Sequence, residues 1–346
     1  MKKGWKILLG IAGGLAALIA AVFLVLWSWS PGKAEGAEIA RVEIGGMEQG
    51  MIIRGADSGR PVLLFLHGGP GSPEYALAES SSLRLEDDFT VCWWEQRGSG
   101  MSWSRDIEPG TITLDRMLED AIEVTNYLRE RFGAEKIYLM GHSWGSLLGV
   151  LLVDRHPEWY EAYIGIGQVT NQLESEKLAW AHMLETARAQ GDRKMAEKLS
   201  AFQITGADSL TAQYFSLRNA NMLTQDYGMF HEPVSMLTLT MQVLRAREYT
   251  LADKYGYVRG MLLDTGLPIL ESNLFECVSK LDVPVYIIHG KFDMQVSYQL
   301  SKAWFDVLEA PEKHFYSFEN SAHSPFVEEP EKFMQIIRQD ILHMEA

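Results

Sequence analysis

The sequence is poor in cysteine and in positive charge, and both shortages narrow the classes of protein to consider. Its two cysteines, Cys92 and Cys277, cannot form a disulfide framework. Cys92 lies in a strand-like apolar stretch and is expected to be a small buried residue. No CxxC or HExxH motif is present, so no metal or other cofactor is expected. The net charge of −15 argues against nucleic-acid binding, which relies on basic patches that neutralise phosphates.

One long hydrophobic run is present, near the start of the chain. Residues 7–29 carry no charge and are numerous enough to cross a bilayer as a helix. Lys2, Lys3 and Lys6 precede the run, which favours an amino terminus in the cytoplasm and a body on the outer side. The alternative is a cleaved signal peptide, whose apolar core is usually only about 7–15 residues long. We expect residues 1–36 to form a transmembrane anchor and linker in the cell membrane, or else a secretion signal.

The rest of the chain alternates strand-like and helix-like segments. Two strand-like stretches joined through Gly45 and Gly46 predict a hairpin, and six further strand-like segments follow. Residues 114–133 carry apolar side chains at helical spacing and end at a glycine, as a helix often does. This alternation predicts an α/β fold with a mostly parallel sheet of eight strands and helices on both faces.

A helical block interrupts the alternation. Residues 170–265 are rich in Met and aromatic residues and contain no clear strand, so we expect a helical cap inserted after the sixth strand. Residues 37–169 and 266–346 would then form the two parts of one core. A cap at this point would lie over the ends of the strands, where the active site of such a sheet forms.

The segment KIYLMGHSWGSLLGV, residues 136–150, holds Ser143 between two glycines where an apolar strand turns into an apolar helix. The pattern Gly141-x-Ser143-x-Gly145 is that of a nucleophile elbow, in which strand and helix meet so closely that larger side chains would collide. The alternative is a glycine-rich turn with an ordinary serine. A catalytic role therefore requires partners elsewhere in the sequence.

A nucleophilic serine needs a base, and the base needs an acid to orient it. In proteins with this elbow the acid and then the histidine follow the serine along the chain. Asp293 comes three residues after the glycine that ends a predicted strand, and His323 lies in the loop after the last strand. Ser143, Asp293 and His323 are therefore expected to meet at one edge of the sheet.

The reaction also needs two backbone N–H groups to stabilise an oxyanion. The first is expected from Trp144, the residue after the nucleophile, at the positive end of a helix. The second is expected from the glycine loop after the third strand, with Gly69 preferred and Gly68 as the second choice.

These motifs together resemble the α/β-hydrolase fold and, within it, the proline iminopeptidase family of serine exopeptidases. The resemblance rests on HGGPG at residues 67–71, EQRGSGMS at 95–102, GHSWGS at 141–146, HGKFD at 289–293 and SAHSPFVEEP at 321–330. It implies that Ser143 is the nucleophile, Asp293 the orienting acid and His323 the base. It also implies that Gly69 and Trp144 form the oxyanion hole.

Two positions depart from the usual pattern of that family, Glu95 for an aspartate and His142 for a glycine. The resemblance further implies that carboxylates of the cap hold the free amino group of the substrate, because a buried ammonium without a partner is costly. Glu174, just after the sixth strand, is the preferred residue. The acidic residues weighed for this role are Glu174, Glu176, Glu232 and Glu248.

The sequence thus predicts a serine hydrolase that forms an acyl-enzyme, most simply an aminopeptidase that releases proline or a small apolar residue from short peptides. The alternative is a carboxylesterase acting on small or acyl esters, with a cap that lacks an ammonium anchor. A non-catalytic binding protein on the same scaffold is the third possibility, but such proteins usually show a broken triad. No obligate protein partner is expected.

Overall fold

A computed structural model of the protein describes residues 36–56, 59–262 and 268–344. The predicted anchor at residues 7–29 lies outside these ranges. Among the helices that the structure describes, none is long and apolar enough to cross a membrane.

The core is one sheet of eight strands in the order β1-β2-β4-β3-β5-β6-β7-β8. Strand β2 runs antiparallel to its neighbours β1 and β4, and every other adjacent pair is parallel, which confirms the expected mostly parallel sheet. The strands are β1 (Ala37–Ile44), β2 (Met47–Arg54), β3 (Val62–Leu66), β4 (Thr90–Trp94), β5 (Ile137–His142), β6 (Tyr160–Ile166), β7 (Val285–Gly290) and β8 (Lys313–Phe318).

The expected hairpin joins β1 to β2. Its two turn residues, Gly45 and Gly46, have φ of 57° and 75°, the left-handed values that a two-residue type I′ turn requires. The hairpin places β1 at one edge of the sheet, far from β7 and β8 at the other side.

Twelve α-helices are present in the described residues. They are α1 (Tyr75–Glu79), α2 (Leu114–Phe132), α3 (Trp144–Arg155), α4 (Gln172–Ala189), α5 (Arg193–Ser200), α6 (Ala212–Met222), α7 (Met236–Arg245), α8 (Leu251–Met261), α9 (Leu274–Cys277), α10 (Tyr298–Val307), α11 (Pro325–Glu328) and α12 (Pro330–Ile336). Helix α2 begins at the Thr113 cap and ends at Gly133, as its sequence pattern predicts.

Both faces of the sheet are covered, because alternate residues of the central strands point to opposite sides. Leu64 of β3 packs in a core with α2, α3 and α10, whereas Leu63 and Phe65 pack with α1, α11 and α12 on the other face. Cys92 of β4 is fully buried and free, as expected.

Helices α4 to α8 lie between β6 and β7 in the chain. Several of their apolar residues form a separate core cluster that includes Met183, Leu199 and Tyr214. An ion pair of 2.6 Å between Arg41 of β1 and Asp253 of α8 connects this helical region to the sheet.

Helix α8 also approaches the backbone of the core closely. A Cβ atom placed on Gly256 would lie 2.2 Å from the Gly100 carbonyl oxygen, and one on Gly260 would lie 2.8 Å from the Gly98 carbonyl oxygen. A Cβ on Gly71, in the loop after β3, would lie 2.5 Å from the Gly260 oxygen. Only glycine permits this contact between α8 and the two core loops.

Candidate active site

Ser143 stands alone between β5, which ends at His142, and α3, which begins at Trp144. Its backbone has φ 54° and ψ −123°, a strained conformation for a residue with a side chain. Its N–H donates to the Ile166 carbonyl oxygen at 2.9 Å, which fixes the turn against β6. The strand-to-helix turn has the geometry that a nucleophile elbow requires.

The flanking glycines are needed because the two elements almost touch. A Cβ atom on Gly141 would lie 2.3 Å from the Gly145 carbonyl oxygen, and a Cβ on Gly145 would lie 2.0 Å from the Leu66 carbonyl oxygen. Both separations are far below van der Waals contact. The glycines therefore allow α3 to start directly above β3 and β5.

His323 and Asp293 form a buried hydrogen-bonded pair. The Nδ1 atom of His323 lies 2.7 Å from Asp293 Oδ2, with Asp293 fully buried and His323 4% exposed. The other oxygen of Asp293 accepts hydrogen bonds from the backbone N–H groups of Gln295 (2.8 Å) and Val296 (2.9 Å). His289 Nε2 lies 3.1 Å from Oδ2 as well. These contacts hold the carboxylate in one orientation.

The charges in this pair follow from their surroundings. Burial opposes ionisation of Asp293, but the neighbouring His323 and His289 outweigh it and hold the pKa of Asp293 well below its ordinary value. Burial lowers the pKa of His323 below its ordinary value, and Asp293 opposes that effect only in part. His323 is therefore neutral at pH 7, with Nδ1–H donating to Asp293 and the Nε2 lone pair available as a base.

Ser143 directly follows His142, whose ring is close to that of His323. Among the described residues, no hydrogen bond joins the Ser143 hydroxyl to His323. The neighbouring His142 ring lies 4.6 Å from the His323 ring, centroid to centroid, and its Nε2 atom lies 2.8 Å from the His323 carbonyl oxygen. Catalytic hydrogen bonds are often long before substrate binds, so this geometry is compatible with a serine that His323 activates.

Two N–H groups near the elbow have no protein acceptor in the described part of the chain. Trp144 is the first residue of α3, so its N–H has no partner within the helix. The Gly69 N–H is likewise unused, whereas the Gly68 N–H donates to Glu74 Oε1 at 3.3 Å. The contacts therefore favour Gly69 over Gly68 as the second oxyanion donor.

Glu74 is the acidic residue that sequence reasoning missed. It precedes α1 and is 8% exposed. Its Oε1 atom is hydrogen-bonded to His142 Nδ1, and its Oε2 atom is buried with no partner among the described residues. Burial acts to lower the pKa of His142, but Glu74 outweighs it, so the pKa is raised. The only feature of the sequence that could have pointed to Glu74 is an acidic residue three positions after HGGPG.

The cap carboxylates weighed from the sequence are engaged elsewhere or exposed. Glu174 is half-exposed and pairs with Lys177 at 2.6 Å. Glu176 is buried but pairs with Arg218 at 2.9 Å and accepts from Tyr214 at 3.0 Å. The remaining two do not line the main pocket either: Glu232 is exposed, and Glu248 is buried 4.0 Å from Arg54.

A pocket of about 370 Å³ opens between residues 72–74 of the core and helices α6, α7 and α8. Its walls are mostly apolar, and Glu74 is the one carboxylate among the described residues that line it. Leu77, Leu239 and Tyr257 form part of the wall. Four methionines also line it: Met222, Met229, Met236 and Met261.

The loop that carries Glu95 and Arg97 has a structural role. Arg97 binds both oxygens of Asp120 in α2, at 2.7 and 2.8 Å. Glu95 is buried, accepts from the Met101 N–H and the Tyr249 hydroxyl, and has its pKa raised by burial to about 7. These contacts hold the loop against α2 and Tyr249.

The strand order, the serine turn after β5 and the helices inserted between β6 and β7 define an α/β-hydrolase. The chain matches the family model described as serine aminopeptidase, S33, over residues 59–330, and it belongs to that family. It is 35% identical over 322 residues to the probable aminopeptidase YbaC of Bacillus subtilis, covering 90% of this chain and 99% of that protein.

More distant relatives support the same family assignment. A proline iminopeptidase of Heyndrickxia coagulans is 24% identical over 292 residues, covering 81% of this chain and 89% of that one. Among solved structures, VinJ has a TM-score of 0.64 at 21% identity and covers 89% of this chain and 99% of its own. The proline iminopeptidase of Mycobacterium smegmatis has a TM-score of 0.61 at 19% identity, covering 88% and 98%. The resemblance to proline iminopeptidases is confirmed, and the chain is an aminopeptidase-like hydrolase.

Proposed function

We propose that the protein is a serine aminopeptidase that removes the first residue from short peptides, with Ser143, His323 and Asp293 as its triad. The observation that carries the proposal is the buried 2.7 Å contact between His323 and Asp293 beside a strained Ser143, in a chain of the serine aminopeptidase family. Gly69 and Trp144 supply the oxyanion hole.

The reaction proceeds through an acyl-enzyme. Ser143 Oγ attacks the scissile carbonyl carbon while His323 Nε2 takes the hydroxyl proton, and the N–H groups of Gly69 and Trp144 stabilise the oxyanion. His323 then gives its proton to the leaving amine as the carbon–nitrogen bond breaks. A water molecule, deprotonated by His323, then attacks the acyl-enzyme; the ester bond breaks, His323 returns the proton to Ser143 Oγ, and the free amino acid is released.

The substrate assignment is supported by similarity and by chemistry. Proline iminopeptidases and the probable aminopeptidase YbaC are similar to this chain along most of its length. Short peptides or amino-acid amides that begin with proline or a small apolar residue are therefore the proposed substrates. Sequence position alone gave Glu174 for binding their amino group, but it pairs with Lys177 at 2.6 Å and is not among the described residues that line the pocket.

A carboxylesterase is the second candidate, and one observation favours it. The pocket that Glu74 lines has mostly apolar walls rich in methionine, which suit an acyl chain as well as an apolar side chain. The same triad would cleave an ester by the same steps.

Substrate comparison separates the two candidates. The purified protein would be assayed on prolyl and alanyl 4-nitroanilides and on short-chain 4-nitrophenyl esters. We expect turnover of the anilides that disappears when their amino group is acetylated. Strong ester hydrolysis with no anilide cleavage would reject the aminopeptidase and support the esterase.

The uncharged stretch at residues 7–29, preceded by Lys2, Lys3 and Lys6, supports an anchor in the cell membrane with the catalytic body outside the cytoplasm. We expect the full chain to remain with the membrane fraction after an alkaline wash, and a chain lacking residues 1–36 to be recovered in the supernatant. A shortened chain in the medium would instead support a cleaved signal peptide. Full-length chain in the soluble fraction would contradict both.

A further inference from the structure

The unexplained group in the site is the Glu74 carboxylate. One oxygen, Oε1, is used by the Gly68 N–H and by His142, but Oε2 is buried and has no partner in the described part of the chain. A buried carboxylate oxygen without a hydrogen bond is costly, so a native protein that keeps one usually has a use for it. A carboxylate has acceptor positions on both oxygens, so Glu74 can hold a second cationic group while it stays bonded to His142.

The position of Glu74 relative to the nucleophile is informative. A Cβ atom built on Gly68 would lie 2.9 Å from Glu74 Oε1 and 3.1 Å from Ser143 Cβ, so the carboxylate and the nucleophile flank the same glycine. In a peptide substrate the terminal nitrogen is attached to the carbon next to the scissile carbonyl, only about 2.5 Å from the carbon that is attacked. The ammonium group of a substrate attacked by Ser143 therefore comes within reach of the Glu74 carboxylate.

The surroundings of Glu74 suit a single small cation. Glu74 is the one carboxylate among the described lining residues, and the one lining lysine, Lys254, donates to the Leu244 carbonyl oxygen at 2.8 Å. The other walls are mostly apolar, and in such surroundings a carboxylate and an ammonium attract each other more strongly than they would in water. The paired Glu176 and the half-exposed Glu174 offer no comparable position.

We propose that Glu74 binds the α-ammonium group of the substrate's first residue and so makes the site an aminopeptidase rather than a general hydrolase. The residue that binds the ammonium group is therefore in the core loop after β3, and not in the cap as expected from the sequence. It rests on the proposed aminopeptidase function and names the residue that selects the free amino terminus. His142 and the Gly68 N–H hold the carboxylate in place.

The variant Glu74→Gln tests the assignment. Glutamine keeps an oxygen that can accept from Gly68 and His142, but it loses the negative charge. The readout is the ratio of kcat/KM for alanine 4-nitroanilide to that for propionyl 4-nitroanilide, which is the same molecule without the amino group. We expect this ratio to fall on the order of 100-fold, the loss typical of removing the charged partner of an ammonium in a desolvated site. Hydrolysis of 4-nitrophenyl acetate should change little.

Three controls make the result decisive. Glu79→Gln, at the end of the same helix with its carboxylate 3.5 Å from Arg54, should leave the ratio within about twofold of the wild type. Glu174→Gln should also leave this ratio unchanged. If the ratio fell in Glu174→Gln and not in Glu74→Gln, the assignment would be overturned and the ammonium anchor would belong to the cap. The rate of labelling by a fluorophosphonate reports on Ser143 and His323 whatever the substrate.

The remaining outcomes separate the two proposals. If the wild-type protein cleaves esters but no anilide with a free amino group, the proposed function fails and the Glu74 assignment fails with it. If the wild-type protein prefers the free amine and Glu74→Gln keeps that preference, only the Glu74 assignment is wrong. Equal losses on anilide, ester and labelling would show that Glu74 acts through His142 on the position of His323 instead.

Discussion

Replacing Ser143 with alanine is expected to lower kcat by about 10⁶-fold, because no other group can form the acyl-enzyme. Reaction with a fluorophosphonate should be abolished at the same time. Alanine removes only the hydroxyl, which makes no hydrogen bond in the described part of the chain, so folding should not suffer. The measurements are steady-state turnover of an alanyl anilide, covalent labelling followed by mass spectrometry, and thermal unfolding.

A matched control for this variant is Ser82→Ala, at an exposed serine in the same domain. It should label and turn over substrate at the rate of the wild type. A Ser143→Ala protein that still labels, or that keeps more than about one hundredth of the activity, would show that another nucleophile is used.

Asn in place of Asp293 should lower kcat by about 10⁴-fold near neutral pH. Because Oδ1 accepts from the N–H groups of Gln295 and Val296, the Asn side chain would keep its oxygen there and place its NH₂ group against His323. An NH₂ group can only donate to Nδ1, so the ring proton would move to Nε2, the nitrogen that must accept the serine proton. The base would then be held in the wrong tautomer.

The pH dependence of the wild type supplies a second readout at this pair. In the proposed mechanism His323 must be neutral to act as the base, so kcat/KM should fall as pH decreases through the pKa of that histidine. Burial lowers this pKa below 6.5, so the midpoint of the fall is expected below pH 6.5. Asp293 opposes the lowering, and the residual activity of Asp293→Asn should therefore show its midpoint at a still lower pH.

The exposed Asp306→Asn, which loses only its pair with Lys302 in α10, is the matched control and should stay within about twofold of the wild type. A wild-type midpoint at pH 7 or above would contradict a neutral His323 at rest. Full activity in Asp293→Asn would remove this residue from the mechanism.

Much of the core could be predicted because its signals are local. The buried strands are short apolar runs, and Gly45 and Gly46 allow the one tight turn that joins β1 to β2. The carboxyl ends of parallel strands share one edge of a sheet, so an acid after β7 and a histidine after β8 were expected to meet. Asp293 and His323 lie in contact in the structure. The role of the triad itself stays a prediction until the variants are measured.

The pocket could not be predicted in the same way, because its walls come from distant segments. In the sequence, Glu74 has only the pattern of a residue that precedes a helix. In the structure, the loop after β3 folds back through a bridge between Gly68 and Ser72, and this places Glu74 beside His142. Glu174 follows the sixth strand, where the sequence predicts the start of the cap. Lys177 lies one helical turn further along the same helix and forms an ion pair with Glu174. Which face of a helix in the cap points toward a site depends on how the helices pack together. The apolar periodicity of each helix does not reveal that packing.

The glycine contacts of α8 couple this helix to the loop that carries Gly69. Gly260 packs directly on the backbone of Gly71 and Gly98, with no side chain between them. Because the backbones are in direct contact there, α8 cannot shift toward these loops without displacing them. A displacement of α8 would therefore also move the loop that carries Gly69, the proposed oxyanion donor.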